Sequence, residues 1–487
     1  MTMPGKLAKL EPQPLWTYFE EICRIPRPSK KEERIRRFIL EFAAANGIAA
    51  KTDGAGNILL LKPASPGYED RPTVVLQSHM DMVCEKNSDR KFNFDTDPII
   101  PVVDGEWVRA DGTTLGADNG IGIAAQMAVL TAPNLQHGPI ECLITVDEET
   151  GLTGALALEP DFFSGKILIN LDSEDEGELF IGCAGGMDTL AELAVEKEKT
   201  PGNSFGLKIM VRGLLGGHSG DDIHRGRGNA NKILARFLSK AIRQFGVRIA
   251  DMNGGNLRNA IAREAFALII VPNVQKEQLI AELNVFSSEV EFEYERTEPN
   301  LIIDHSSSPL PPLVLTLADQ EKLIDLLMAC PHGVMEMSPR MKEMVETSTN
   351  LASVKFTDDS KVIITTSQRS ELESRKQYAA DTIRAVFELS GAKVSQLNGY
   401  PGWTPNPDSH LLRITATAYR NLFEKEPLIR SIHAGLECGL FLEKYPGLDM
   451  VSFGPTIKNA HSPDERIRID TVAKFWMHLS EVLKTIS

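Results

Sequence analysis

Two kinds of apolar pattern run along this chain. Short apolar runs, Ile58-Leu-Leu-Leu-Lys62, Thr73-Val-Val-Leu-Gln77, residues 141–146 and Ile167-Leu-Ile-Asn-Leu171, read as buried strands. Helical spacing between and before them predicts helices at 14–23, 30–45 and 119–132. Ser29 is positioned to cap the second of these and Gly47 to follow its end. Strands that alternate with helices imply an α/β architecture, with a mixed, largely parallel sheet covered by helices on both faces.

The pattern changes near Ala184-Gly-Gly186. Two similar α+β units follow. The first has strands at 207–212, 247–252 and 264–271 and helices at 229–245 and 275–288. The second has strands at 313–317, 351–357, 361–367 and 392–397 and helices at 318–330 and 371–389. Residues 304–312, rich in Ser and Pro, read as a linker between them. After Tyr400-Pro-Gly-Trp403 the α/β pattern returns, with helices at 409–423 and 470–483 around a strand at 449–453. The expected organisation is one α/β domain in two parts, 1–186 and 399–487. It is interrupted by residues 187–398, whose halves are 204–300 and 310–398 and look like a duplication.

A chain of 487 residues exceeds one ordinary core, in keeping with this division. A net charge of −15 argues against nucleic acid or an anionic membrane as partner. No run reaches the roughly 18 apolar residues of a membrane span, and residues 1–14 have no apolar signal core. Six cysteines without a CxxC pair, several within apolar runs, point to reduced core thiols and a cytoplasmic setting.

The acids are not spread evenly. The run ending at Val146 stops at Asp147, Glu148 and Glu149 before a glycine turn. Strand 73–77 leads into His79-Met-Asp81, where alternation places His79 and Asp81 on one face. Gly116-Ala-Asp118-Asn-Gly120 sets an acid at a helix entry, and Asp172 ends another strand. Asn459-Ala-His461-Ser-Pro-Asp464-Glu adds a late loop histidine. Each alone is an ordinary feature: an acidic turn, an Asx turn, a surface histidine. Together, strand ends and adjoining loops of one sheet supply two imidazoles and at least three carboxylates, a set suited to two Zn²⁺ ions with one carboxylate bridging. Of two adjacent acids at such a turn, one can bind metal while the other serves as general base.

The order His-x-Asp, Gly-x-Asp-x-Gly, Glu-Glu, Asp and a late His resembles the M20 family of co-catalytic zinc metallopeptidases over essentially the whole chain. The likeness is nearest to its bacterial members that cleave aminoacyl-histidine dipeptides. It implies that Asp118 bridges two Zn²⁺ ions, with His79 and Asp172 on one and Glu149 and His461 on the other. Co²⁺ or Mn²⁺ are the implied substitutes. Glu148 would be the base that activates a metal-bridging water, and Asp81 would orient His79. The family's α/β domain is interrupted by a lid, and three lid features match. His218 in Gly213-Leu-Leu-Gly-Gly-His-Ser-Gly would stabilise the oxyanion. Asn259, closing Gly254-Gly-Asn-Leu-Arg-Asn, and Arg369, placed after strand 362–367, would hold the substrate carbonyl or carboxylate. Gly435 in His433-Ala-Gly-Leu-Glu437 would lie near the substrate terminus. The implied activity is a broad dipeptidase that accepts Xaa-His substrates such as β-alanyl-histidine, and the resemblance favours a homodimer. The nearest alternative is a tripeptidase or N-acyl amino acid hydrolase on the same scaffold. A non-catalytic scaffold protein would be expected to have lost Glu148 or a ligand, and none is missing.

Overall fold

A computed structural model describes residues 7–397 and 399–487. The first six residues, part of the segment read as lacking a signal core, and position 398, at an expected boundary, lie outside the described residues. The chain divides into two compact units: Met1–Gly182 with Pro405–Ser431 and Glu437–Ser487, and Cys183–Thr404 with Ile432–Leu436. These breaks fall a few residues from the expected 186/187 and 398/399. The return of Ile432–Leu436 to the second unit had no counterpart in the sequence reading.

The first unit is built on an eight-stranded sheet. Its order is Ala49–Thr52, Ile58–Lys62, Ile140–Thr145, Val74–His79, Ile167–Asn170, Asp449–Ser452, Glu178–Cys183, Leu428–Ile432. The four central strands, from Ile140–Thr145 to Asp449–Ser452, run parallel. Every residue of Val74–His79 and Ile140–Thr145 is buried, as strands covered on both faces must be. The helix Ala117–Thr131 packs on Val74–His79, and His410–Phe423 packs on Asp449–Ser452 and on Ile469–Thr485. Ser29 does not cap a helix. The helix is Glu33–Ala45, and the Ser29 hydroxyl donates to Asp81 Oδ2 at 2.8 Å.

The second unit carries a nine-stranded sheet whose described pairings are antiparallel. Leu207, Ile209 and Val211 face a core shared with helices Ala230–Phe245, Lys276–Glu293, Leu317–Ala329 and Glu373–Leu389. The alternate residues Lys208, Met210 and Arg212 lie outside that core, so helices cover one face. Arg248–Gly254 and Val345–Phe356 meet at the middle. Outward from there, one half runs Ala265–Pro272, Ser204–Arg212, Ile302–Ser308, and the other runs Lys361–Ser370, Gly185–Ala194, Lys393–Gln396. Both halves thus follow one strand order.

Three expectations are corrected in this unit. The strand placed at 313–317 is Leu313–Leu315, which pairs only with Lys197–Lys199 in a separate two-stranded sheet. Its place in the large sheet is taken by the ten-residue strand Gly185–Ala194. Part of the presumed linker 304–312 lies in Ile302–Ser308, paired along Ser204–Arg212. Arg369 lies inside Lys361–Ser370 rather than after it, opposite Ser348 and Gly186.

One helix position carries a pH consequence. His478 of Ile469–Thr485 is 3 % exposed, with Nε2 at 2.8 Å from the Thr415 carbonyl oxygen. Burial pushes its pKa down to about 4. Below pH 6.5 the unfolded chain therefore takes up a proton that the native ring refuses. Stability should fall as pH drops from about 6.5 to 4, by at most about 1.4 kcal/mol per pH unit from this residue. Melting temperatures over that range should fall less steeply in His478→Gln; an unchanged slope would remove His478 from the acid limb.

Candidate metal centre

The carboxyl ends of the parallel strands converge on one cluster. His79 ends Val74–His79, and its register partner Thr145 stands three residues before Glu148. Asp172 follows Ile167–Asn170. Asp118 lies at the start of Ala117–Thr131 with φ −80° and ψ 113°, off the helical path, so its side chain leaves the axis. His461 comes from the loop before Arg466–Arg468.

Asp118 is the midpoint. Its Oδ1 is 3.0 Å from His79 Nε2, and its Oδ2 is 3.0 Å from His461 Nε2. Asp172 Oδ1 lies 3.2 Å from His79 Nε2 and Glu149 Oε2 lies 3.0 Å from His461 Nε2. Two donor groups result: His79, Asp118 and Asp172, and Asp118, Glu149 and His461. Each has its ligand atoms within 4.8 Å of one another. His79, Glu148 and Glu149 form a third such set. Asp81 Oδ1 faces His79 Nδ1 at 3.4 Å. The same carboxylate accepts the backbone N–H of Glu148 at 3.0 Å and of Glu149 at 3.2 Å. One buried acid therefore addresses both the histidine and the acidic turn.

The electrostatics are lopsided. Burial pushes Glu148 well above the ordinary carboxylate range, and Asp172, Glu149 and Glu437 add to the rise while His79 opposes it. Burial, with Asp118 beside it, raises Glu149 to about 7. Asp172 is raised by burial against the pull of His79. Burial alone would lower His461, but its contacts with Asp118 and Glu149 prevail and lift it to about 11. Among the described residues, no Lys or Arg pairs with Asp118, Glu148, Glu149 or Asp172; their only ion-pair partners are the two histidines. Glu149 Oε1 is buried without a hydrogen bond, and the His79 Nδ1 contact with Asp81 is long, at 3.4 Å. Four acids without a Lys or Arg partner among the described residues, together with two imidazoles, match the donor chemistry of divalent cations, so the residues fit such a pair.

The remaining predicted residues lie in the second unit. Arg369, 6 % exposed, donates from Nη1 to the Tyr400 hydroxyl at 2.8 Å and from Nε to Ser219 Oγ at 3.3 Å. Its Nη2 stands 3.4 Å from His218 Nε2, and His218 Nδ1 is 3.4 Å from Asp221 Oδ2. His218 and Arg369 are thus brought together. Asn259 is exposed on its loop; its backbone carbonyl accepts from Ser219 N at 2.8 Å, and no side-chain bond joins it to Arg369 among the described residues. Gly435 lies against the Tyr400 ring.

The sequence reading missed the groups that hold the ligands in place. Arg27, 1 % exposed, donates to the carbonyls of Met80, Asp81 and Gly116, joining the segment after His79 to the one before Asp118. Gly116 has φ +71°, and a Cβ there would stand 2.5 Å from Arg27 Nη2, so glycine is required on both counts. Glu465, four residues after His461, accepts the backbone N–H groups of Leu115, Gly116, Ala117 and Asp118 at 2.7, 2.9, 2.7 and 3.3 Å. Its only sequence signal is proximity to His461.

A parallel-centred α/β sheet with a partly buried His–Asp–Glu cluster at its strand ends, open to solvent at His461, has the form of a metallopeptidase domain. The chain belongs to peptidase family M20/M25/M40, whose model matches residues 75–485. It is 45 % identical over 482 residues to the cytosol non-specific dipeptidase of Escherichia coli K12, covering 99 % of each chain. Its structure matches the crystal structure of aminoacylhistidine dipeptidase from Vibrio alginolyticus with a TM-score of 0.89 at 44 % identity, covering 99 % of this chain and 98 % of that one. A tripeptidase from Staphylococcus aureus shares the fold at 18 % identity and a TM-score of 0.58, covering 98 % and 99 %.

The Glu465 clamp is testable by stability. Glu465→Ala strands four buried N–H donors and should cost at least about 3 kcal/mol, at about 1–3 kcal/mol per unsatisfied group. Glu465→Gln, which keeps an acceptor, should lose less. Equal urea midpoints for the alanine variant and the parent chain would show that the clamp contributes nothing.

Proposed function

We propose that this protein is a metal-dependent dipeptidase of broad specificity, accepting Xaa-His dipeptides such as β-alanyl-histidine. The observation that carries the reading is the single carboxylate of Asp118 shared between two imidazole-containing donor groups. His79 and Asp172 would hold one Zn²⁺, Glu149 and His461 the other, with Asp118 common to both. When bound, such a pair supplies Lewis-acid polarisation of the scissile carbonyl and makes a water acidic enough to attack it.

The chain's own residues supply the rest. Glu148 is the proton carrier: burial and neighbouring acids raise its proton affinity, which suits a group that takes a proton from water and returns it to the leaving amine. Asp81 keeps the His79 ring in one tautomer and fixes the backbone that carries Glu148. Arg369 is nearly buried, and its fork meets Tyr400, Ser219 and His218, with no carboxylate in direct contact among the described residues. A guanidinium without an acid partner supports recognition of the substrate carboxylate. His218 would donate to the developing oxyanion, and Asn259 and Gly435 would line the substrate. The common strand order of the two halves supports reading the second unit as a duplication. The dipeptidase names of the two similar relatives support the substrate class, and the cytosolic name of one supports a cytoplasmic setting. A homodimer is part of the same proposal.

Glu148→Gln should retain its metals and fold but lose at least about 10²-fold in kcat, the low end for acid–base catalysis; near-parental turnover at full metal content would refute the base assignment. Chelation should abolish dipeptide cleavage and Zn²⁺, Co²⁺ or Mn²⁺ should restore it. Asp118→Ala should lower the occupancy of both sites together, and elemental analysis giving two ions per chain in that variant would show that Asp118 does not bridge.

A further inference from the structure

We infer that Tyr400 is a specificity-determining positioning residue: its hydroxyl sets the Arg369 fork for a carboxylate and leaves its own hydrogen free to donate to the same group. This rests on Arg369 being the carboxylate-binding residue.

The phenol is fixed from every side. Its backbone N–H donates to the Gly186 carbonyl at 3.0 Å, and its carbonyl accepts from Gly186 N at 3.1 Å and from the buried Lys376 ammonium at 2.7 Å. The ring occupies space that side chains would fill at two glycines. A Cβ on Gly186 would lie 2.8 Å from Cε1, Cζ and Oη of Tyr400, and one on Gly435 would lie 2.6 Å from Cε2. Gly435 thus belongs to this group because Tyr400 needs its space.

The hydroxyl oxygen accepts from Arg369 Nη1 at 2.8 Å, so the phenolic hydrogen is left to donate elsewhere. Burial raises the phenol pKa, which keeps that hydrogen in place at neutral pH. Asp221 Oδ2 is directed to His218 Nδ1 at 3.4 Å; His218 and the Arg369 guanidinium both help to hold Asp221 below the usual carboxylate range against its burial, but it makes no direct ion pair with Arg369 among the described residues. His433, with Nε2 at 2.8 Å from Ser348 Oγ, is pushed by burial down to about 3 and stays neutral, so it brings no second cation. What remains is an O–H and the planar donor fork of a guanidinium that makes no direct ion pair among the described residues, which together are the complement of a carboxylate.

The test compares β-alanyl-histidine with its C-terminal amide in four holoenzymes: the parent, Tyr400→Phe, Arg369→Ala and the double variant. The parent should favour the free acid by roughly tenfold to a hundredfold in kcat/KM, the value of hydrogen bonds to a charged group. Tyr400→Phe keeps the ring in its slot and should cut that preference by about tenfold, mainly through KM, with a smaller loss on the amide than on the acid. In the Arg369→Ala background it should change the preference by less than it does in the parent, because only its own donated hydrogen is then lost. A preference undiminished in Arg369→Ala would overturn the Arg369 reading and this inference with it. A preference that is lost in Arg369→Ala yet intact in Tyr400→Phe would overturn the role of Tyr400 alone. Equal losses on acid and amide in Tyr400→Phe would make the residue merely structural.

Discussion

Asp118 stands 3.0 Å from an imidazole on either side, with Glu148, Glu149 and Asp172 gathered around the same point. Like charges this close repel strongly where water is excluded, and much of the first unit is arranged to withstand that repulsion. Three of the four parallel strands lead into His79, Glu148–Glu149 and Asp172 at their carboxyl ends, and every residue of Val74–His79 and Ile140–Thr145 is buried. Burial then raises Glu148, Glu149 and Asp172 together, so these acids need protons or cations to offset their charge.

Rigidity at the edge also depends on backbone clamps. Arg27 ties Met80 and Asp81 to Gly116, and Glu465 ties its own loop to the four N–H groups from Leu115 to Asp118. Asp81 joins the His79 ring to the backbone of the Glu148–Glu149 turn, and the Glu32 carboxylate holds that turn one residue earlier, at Asp147 N. These contacts fix where ligand atoms sit without being ligands, the support that precise metal geometry requires. The second unit shows the reverse imbalance. Its buried Arg369 has no carboxylate in direct contact among the described residues, and the rings beside it, His433 and Tyr400, are held by burial in their neutral forms.

Much of this was legible in the sequence. The strand runs, the helix periods and the interruption of an α/β pattern by α+β halves follow from local alternation, which each segment carries by itself. The candidate cluster was legible because strand-end motifs lie next to strongly apolar runs: His79 after 73–77, Glu148 and Glu149 after 141–146, Asp172 after 167–171. What failed was what depends on a distant partner. Gly185–Ala194 has the alternation of a strand, but nothing in it says that it pairs with Lys361–Ser370 and displaces Leu313–Leu315 from the large sheet. Ser29 looked like a helix cap because its other use, Asp81, lies 52 positions away.

The sequence by itself determined the elements, the α/β class and the identities of the acids and histidines, since period and residue type are local properties. Tertiary structure alone decided which groups hold them: Arg27 against Gly116 across 89 residues, Glu465 against Leu115 across 350, Tyr400 against Arg369 across 31. An arginine, a glutamate or a tyrosine in a polar stretch reads as solvated surface. Each becomes a clamp only because folding removes its water and leaves a particular carbonyl, N–H or guanidinium as the available partner.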